Sequence, residues 1–305
     1  MNLQNCSLSE PRKLIKNIDN KQYVTHKLKT YSRQLPGIHR LNRMHYFIRT
    51  YRAARMAVHL AYAVTLAALL FPWLSGKERV RLERRWNSGL MEILNIKISI
   101  SGEAPDLSVQ NMMLVANHVS WLDIYLLNTV RPVRFVSKIE VRSWPVVGWL
   151  AHKTGTLFID RTKRHDTSRV NHEMSAILNN GGCIGVFPEG TTSNGSLLKP
   201  FHASLLQPAV HSQSRVWPAA IRYSHADGSL NMAPAFVDEL TFAASLAMIL
   251  NQTVIYAQLE FLPPIEAQGK ARRELARDVE HAIASALNLT AGSNGAGIMV
   301  SSKPA

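Results

Sequence analysis

From Asn95 onward, short runs of strand length alternate with longer stretches of helical periodicity, and this alternation limits the fold more than any other feature of the chain. Residues 96–101 alternate apolar and polar side chains and stop at Gly102. Further runs at 112–116, 133–137, 156–159, 183–187, 216–223, 232–237 and 253–261 read as strands. Helical stretches at 139–153, 166–180, 238–250 and 270–287 lie between or after them, the second closed by Gly181 and Gly182. The order predicts an α/β domain over 91–289, with a mixed, largely parallel sheet flanked by helices. In such sheets ligands bind beyond the carboxyl ends of the strands.

Upstream, residues 1–52 form a basic arm with little apolar periodicity, and 290–305 read as a disordered tail. Between arm and domain, 53–90 predicts a membrane-associated helical segment. Its uncharged part, 56–74, is 19 residues long. At about 1.5 Å per residue it is at the lower limit for crossing a bilayer. Arg49, Arg52 and Arg55 precede it, and Lys77, Arg79, Arg81, Arg84 and Arg85 follow. Basic flanks on both sides favour an in-plane or re-entrant helix, with a single crossing and a buried soluble helix as the alternatives. The expected location is the inner membrane, with the domain on the cytoplasmic side.

The chain of 305 residues carries a formal charge of +14, which selects anionic partners such as a lipid surface or a phosphorylated small molecule. Its two cysteines, Cys6 and Cys183, are far apart, so neither a disulfide framework nor a zinc site follows. Gly-x-Ser-x-Gly, Walker, His-Glu-x-x-His and Gly-x-Gly-x-x-Gly motifs are all missing, which removes serine hydrolases, NTPases, zinc proteases and dinucleotide enzymes.

The strand at 112–116 leads into Asn117-His118-Val119-Ser120-Trp121-Leu122-Asp123. Five residues turn a helix by roughly 140°, so His118 and Asp123 cannot share one helical face. They meet if His118 sits on the turn leaving the strand and Asp123 on the first turn of the next helix. The carboxylate then accepts one imidazole N–H and leaves the other ring nitrogen free to take a proton. That is a base with its orienting group, and no nucleophilic serine is implied.

Three more stretches follow in order. Phe135-Val136-Ser137-Lys138 continues through Trp144-Pro145 and Gly148 to Phe158-Ile159-Asp160-Arg161. Phe187-Pro188-Glu189-Gly190-Thr191-Thr192 comes next, and Val216-Trp217-Pro218-Ala219-Ala220-Ile221 closes the series. Together the four stretches resemble the glycerolipid acyltransferase family, the 1-acylglycerol-3-phosphate acyltransferases and their relatives, over about residues 110–225.

The resemblance implies a membrane-associated O-acyltransferase that moves a fatty acyl group from acyl-CoA or acyl carrier protein to the free hydroxyl of a lysolipid. His118 would be the general base and Asp123 the group that orients it. Glu189, Gly190 and Thr191 would bind the acceptor, and Arg161 its phosphate. Lys138 would bind substrate or serve structure. Trp121, Trp144 and Trp149 would line an acyl tunnel or pack as core or membrane-facing surface. No cofactor or metal is implied, the acyl carrier being a co-substrate. One departure bears on the acceptor: members that use lysophosphatidic acid carry Arg where this chain has Thr192, and His202 stands where lysine is common. Relatives with Thr here include enzymes similar to lyso-ornithine lipid acyltransferases, so both lysolipids stay open. The competing reading is a non-catalytic basic protein that binds membranes or nucleic acid; it leaves the four motifs unexplained, and no nucleic-acid module accompanies the charge.

Overall fold

The computed structural model describes residues 38–160, 163–237 and 240–291. The chain divides after Ile48. Of the first unit the described part is helical, and every contact below belongs to the unit from Arg49 onward.

Helix α1 (Ile38–Thr65) passes into one π-helical turn at Leu66–Leu70 and stops before Pro72. Helix formation therefore starts well inside the basic stretch expected to be an arm, whose arginines are good helix formers. Residues 1–37 and 292–305, which hold the rest of the arm and most of the expected tail, lie outside the described residues. Helix α2 (Gly76–Ile93) begins at a capping box, in which Ser75 and Glu78 each bond the other's backbone N–H. The two helices pair as a hairpin. His59 and Trp86 stack at 4.8 Å, and each ring N–H donates to the other residue's carbonyl. Gly89 leaves room for that stack, since a Cβ there would lie 2.9 Å from the His59 ring.

The domain follows as β1 (Ile96–Gly102), β2 (Met112–Ala116), α3 (Leu122–Asn128), β3 (Arg134–Lys138), α4 (Val147–Lys153), β4 (Leu157–Ile159), α5 (Arg164–Asn179) and β5 (Cys183–Val186). After these come α6 (Gln207–His211), β6 (Arg215–Ser224), α7 (Phe242–Leu250), β7 (Ile255–Phe261), β8 (Ile265–Glu266) and α8 (Arg272–Leu287). The sheet order is β1-β7-β6-β2-β5-β3-β4, with β8 beside β6. Among the strands of the described residues, only the β6–β7 and β6–β8 pairs are antiparallel. The expected mixed, largely parallel sheet with flanking helices is what forms.

Strand β2 is buried along its whole length because it is apolar on both faces. Met112, Leu114 and Ala116 join the core beneath α2, α3 and α7, while Met113 and Val115 join the core beneath α5, α6 and α8. Pro218 is tolerated inside β6 because its partner there changes from β7, which ends at Phe261, to β8, which begins at Ile265.

Two expected elements differ. Residues 232–237 are a loop rather than a strand: Pro234 cannot donate to a ladder, and the Phe236 N–H donates instead to Val119 O. The expected helix at 139–153 is broken into a 3₁₀ turn (Ile139–Ser143) and α4. Pro145 forces Trp144 into an extended conformation, and Val146 follows with φ +62°.

Candidate active site

Strands β2 and β5 are parallel neighbours, with Val115 beside Val186, so the loops that follow them leave the same edge of the sheet. The first loop carries His118 and the second carries Glu189. Asn117 secures the exit of β2: its side chain accepts from the Ile221 N–H and donates to Ile221 O, extending the β2–β6 ladder by one rung.

His118 Nδ1 lies 2.8 Å from Asp123 Oδ2. A carboxylate has only acceptors to offer, so Nδ1 is the donor and Nε2 is the basic nitrogen. Asp123 sits on the first turn of α3, as the spacing predicts, and is fully buried. Its Oδ2 also accepts the backbone N–H groups of Val119 (2.7 Å) and Ser120 (2.8 Å), and its Oδ1 accepts the Tyr223 hydroxyl (2.8 Å). The same carboxylate thus fixes the loop that enters the helix and aims the imidazole, and its charge sits on the helix's positive end. Burial, then the nearby Asp123 charge and the hydrogen bond to it, raise the Tyr223 hydroxyl well above its usual range and keep it a donor. The His118 side chain is 19% exposed, so its free nitrogen is within reach of a ligand.

The imidazole lies flat on Phe187 at 4.0 Å, and Phe187 stacks in turn on Phe135 at 5.4 Å. Gly185 makes room for Phe135, since a Cβ there would fall 2.4 Å from its ring. Gly185→Ala is therefore expected to shift Phe135, tilt the stack beneath His118 and cost about 1–3 kcal/mol of stability. Denaturant unfolding alongside an activity assay measures both effects.

Glu189 is buried and spends both carboxyl oxygens on the backbone: Oε1 accepts the His118 N–H at 2.6 Å, and Oε2 accepts the Lys199 N–H at 3.0 Å. The expected acceptor-binding residue is placed to tie the two loops together. Burial pushes its carboxyl up to about 7; the two N–H groups and Lys199 oppose this, while Asp123 adds to it. An acid raised above its unfolded value of about 4.3 holds a proton that the unfolded chain has released. Its contribution to stability is therefore largest below pH ~4.3, falls as the pH rises toward 7, and is flat above. Glu189→Gln is expected to abolish that downward slope in unfolding curves taken across the window, and to loosen the loop, because the amide NH₂ opposes one of the two N–H donors.

Gly190, with φ +73°, closes a turn by donating its N–H to Phe187 O. Thr191 is exposed at the rim. The Thr192 hydroxyl donates to Phe236 O, and Lys199 Nζ donates to Thr192 O at 2.9 Å. Lys138 is exposed at the end of β3, two strands from β2 on the same edge. Arg161 lies outside the described residues.

Beside the site, α1, α2, α3, β3 and α4 enclose an apolar cavity of about 170 Å³, lined by Leu66, Leu82, Ile124, Phe135 and Leu150 among others. Trp121, Trp144 and Trp149 do not line it. The first two pack on Phe242, and Trp121 donates to Ser245 Oγ at 3.1 Å. Trp149 is 39% exposed.

Sequence reasoning missed Asn117 and Tyr223. The signal for Tyr223 was a phenol at the end of a strand with a long apolar run, a placement that demands a partner for its hydroxyl.

A family model described as Acyltransferase matches residues 97–222. The chain is 39% identical over 250 residues to the lyso-ornithine lipid O-acyltransferase of Pseudomonas aeruginosa, covering 79% of this chain and 93% of that protein. It is 31% identical over 202 residues to the 1-acyl-sn-glycerol-3-phosphate acyltransferase of Neisseria gonorrhoeae, covering 66% and 78%. The crystal structure of a 1-acyl-sn-glycerophosphate acyltransferase from Thermotoga maritima superimposes with a TM-score of 0.63 at 20% identity, covering 81% of this chain and 96% of that one, and shares the fold. By the extent of these matches the chain belongs to the acyltransferase family and is an acyltransferase enzyme.

Proposed function

We propose that the protein transfers a fatty acyl group from a thioester donor, acyl-CoA or acyl carrier protein, to the free hydroxyl of lyso-ornithine lipid at an anionic membrane surface. The observation that carries the reading is the 2.8 Å bond between His118 Nδ1 and the buried Asp123, which leaves Nε2 as a base at the exposed rim. His118 Nε2 takes the proton from the lipid hydroxyl as the oxygen attacks the thioester carbonyl, and Asp123 stabilises the imidazolium that forms. A thioester is already activated, so one base and a docked alcohol suffice. The proton then leaves with the thiolate as free thiol, and the enzyme returns to its starting state.

The cavity beside Phe135 suits an acyl chain. Arg161 and Lys138 stand in this reading as contacts to substrate, with Thr191 at the rim, while Glu189 and Gly190 fix the loop that bears on His118. Lyso-ornithine lipid is preferred to 1-acylglycerol-3-phosphate on two supports. The Pseudomonas relative is named for it and is matched over nearly its full length. Thr192 also replaces an arginine, and its hydroxyl is committed to Phe236 O, so a phosphate dianion loses charge-assisted contacts worth about 1.5–3 kcal/mol each.

The membrane contact falls to the hairpin of α1 and α2. Arg49 donates to Asn251, and Arg52 donates to the carbonyls of Gln252 and Thr253. These bonds hold α1 against the domain, while Val58, Tyr62, Leu69, Leu70 and Trp73 stay exposed. Although Tyr46–Leu70 is long and apolar enough to cross a bilayer, these bonds favour a hairpin embedded from one face, which this reading assigns to the cytoplasmic side.

The test is a panel of lysolipids offered with each donor, the products identified by mass spectrometry. The diacyl ornithine lipid is expected as the main product. Acylation of 1-acylglycerol-3-phosphate at a higher kcat/KM contradicts the acceptor, and no ester from any lysolipid contradicts the reading as a whole.

A further inference from the structure

The segment between β3 and β4 presents two different faces. Val147, Leu150 and Ala151 line the apolar cavity from inside. Val146 is 42% exposed and Trp149 39%, and both lie on the outer side with Lys153, whose Nζ sits 5.6 Å above the Trp149 ring. Positions 146, 149 and 153 recur at helical spacing, so they share one face of α4 and its entry turn. That face is held out by the backbone: Val146 has φ +62°, a conformation that a β-branched residue rarely adopts. The turn is locked by bonds from the Val147 N–H to Pro145 O and from the Gly148 N–H to Trp144 O. Gly148 itself lies so close to the preceding turn that a Cβ would fall 2.3 Å from Arg142 O.

The surroundings indicate what this face meets. Residues 134–154 carry four cations, Arg134, Lys138, Arg142 and Lys153, against one acid, Glu140, and all five are exposed. An apolar face that carries Lys153, in a segment where cations outnumber acids, complements an anionic interface. The segment also adjoins the hairpin: the cavity that Val147 and Leu150 line is lined as well by Leu66, Ala67 and Phe71, from the hairpin's apical turn, where Leu69, Leu70 and Trp73 are exposed.

We propose that residues 139–154 form a second membrane-contact element, with Val146 and Trp149 entering the interface of an anionic bilayer beside the hairpin and Lys138, Arg142 and Lys153 meeting its headgroups. The inference rests on the reading of the hairpin as membrane anchor. It places both walls of the acyl cavity at the bilayer, so that a lipid chain reaches the cavity without crossing water.

The test uses the full chain with Cys6 and Cys183 replaced by serine and the fluorophore NBD attached at V146C, at W73C on the hairpin, or at S229C on an exposed turn away from both. Each is titrated with phosphatidylglycerol or phosphatidylcholine vesicles. With phosphatidylglycerol the label at 146 is expected to brighten and shift to the blue, as the label at 73 does, while the label at 229 stays unchanged. Insertion at 73 with none at 146 overturns the proposal and leaves the anchor standing; insertion at neither overturns the anchor itself. A response at 146 to acyl carrier protein without vesicles, and none to vesicles, overturns it in favour of a protein partner. As a second measurement, the double variant Val146→Asp, Trp149→Asp is expected to lose roughly tenfold in activity on lysolipid held in vesicles while keeping its activity on a short-chain, monomeric lysolipid. Equal loss on both contradicts the proposal.

Discussion

Replacing His118 by alanine is expected to reduce acyl transfer by about 10²–10⁴-fold, the range a positioned general base supplies. The fold is expected to survive. The imidazole is partly exposed, and its Nδ1 bond to Asp123 is one of four that the carboxylate accepts, so three remain. Phe187 loses its stacking partner but keeps Phe135 on its other side. The loss should appear in kcat, because the base acts in the transition state rather than in binding. Circular dichroism and the unfolding midpoint, recorded beside the rate, separate a chemical loss from a structural one.

Asp123→Asn is expected to impair both rate and stability. The asparagine keeps the shape but carries one acceptor oxygen in place of two. Its NH₂ then faces either the Val119, Ser120 and His118 donors at Oδ2 or the Tyr223 hydroxyl at Oδ1. Tyr223 can rotate its O–H, so the least costly arrangement turns the NH₂ toward it and leaves the oxygen on the other three. The charge is lost in every arrangement, and with it the strength of bonds to an ionised acceptor. On the scale of a single charge-assisted bond the destabilisation is on the order of 3 kcal/mol, which lowers the unfolding temperature by roughly 6–12 °C for a domain of this size. The imidazolium also loses its counter-charge, so the rate falls even in the folded fraction. Tyr223→Phe, which leaves the charge in place but takes the donor from Oδ1, is expected to cost about 1.5–3 kcal/mol of stability and little rate. A rate in Asp123→Asn equal to wild type, measured below its melting temperature, would remove the orienting role.

Much of this was legible locally. The bounds of β2 follow from five apolar residues between polar ones, and the His118–Asp123 contact follows from a strand exit followed by a helix start. The partners that complete the site were not legible. Asn117 and Asp123 reach Ile221 and Tyr223 about a hundred residues on, and Glu189 reaches back to His118, so nothing in their own neighbourhoods announces them. They depend on the order of the strands in the sheet, which alternation alone leaves undetermined. The start of α1 was hidden within a basic stretch that reads as an arm, and the break at Pro145–Val146 interrupts a stretch whose periodicity runs through it.

Transfer by His118 is direct, so the first new bond is the lipid ester itself. Intact-protein mass spectrometry after mixing with a labelled acyl thioester, with and without lyso-ornithine lipid, tests this most directly. The predicted result is an unmodified protein in both mixtures, ester only where the lysolipid is present, and almost none of it from His118→Ala. A protein that gains the mass of the acyl group from the donor alone, and passes it on when lysolipid is added, would contradict the account.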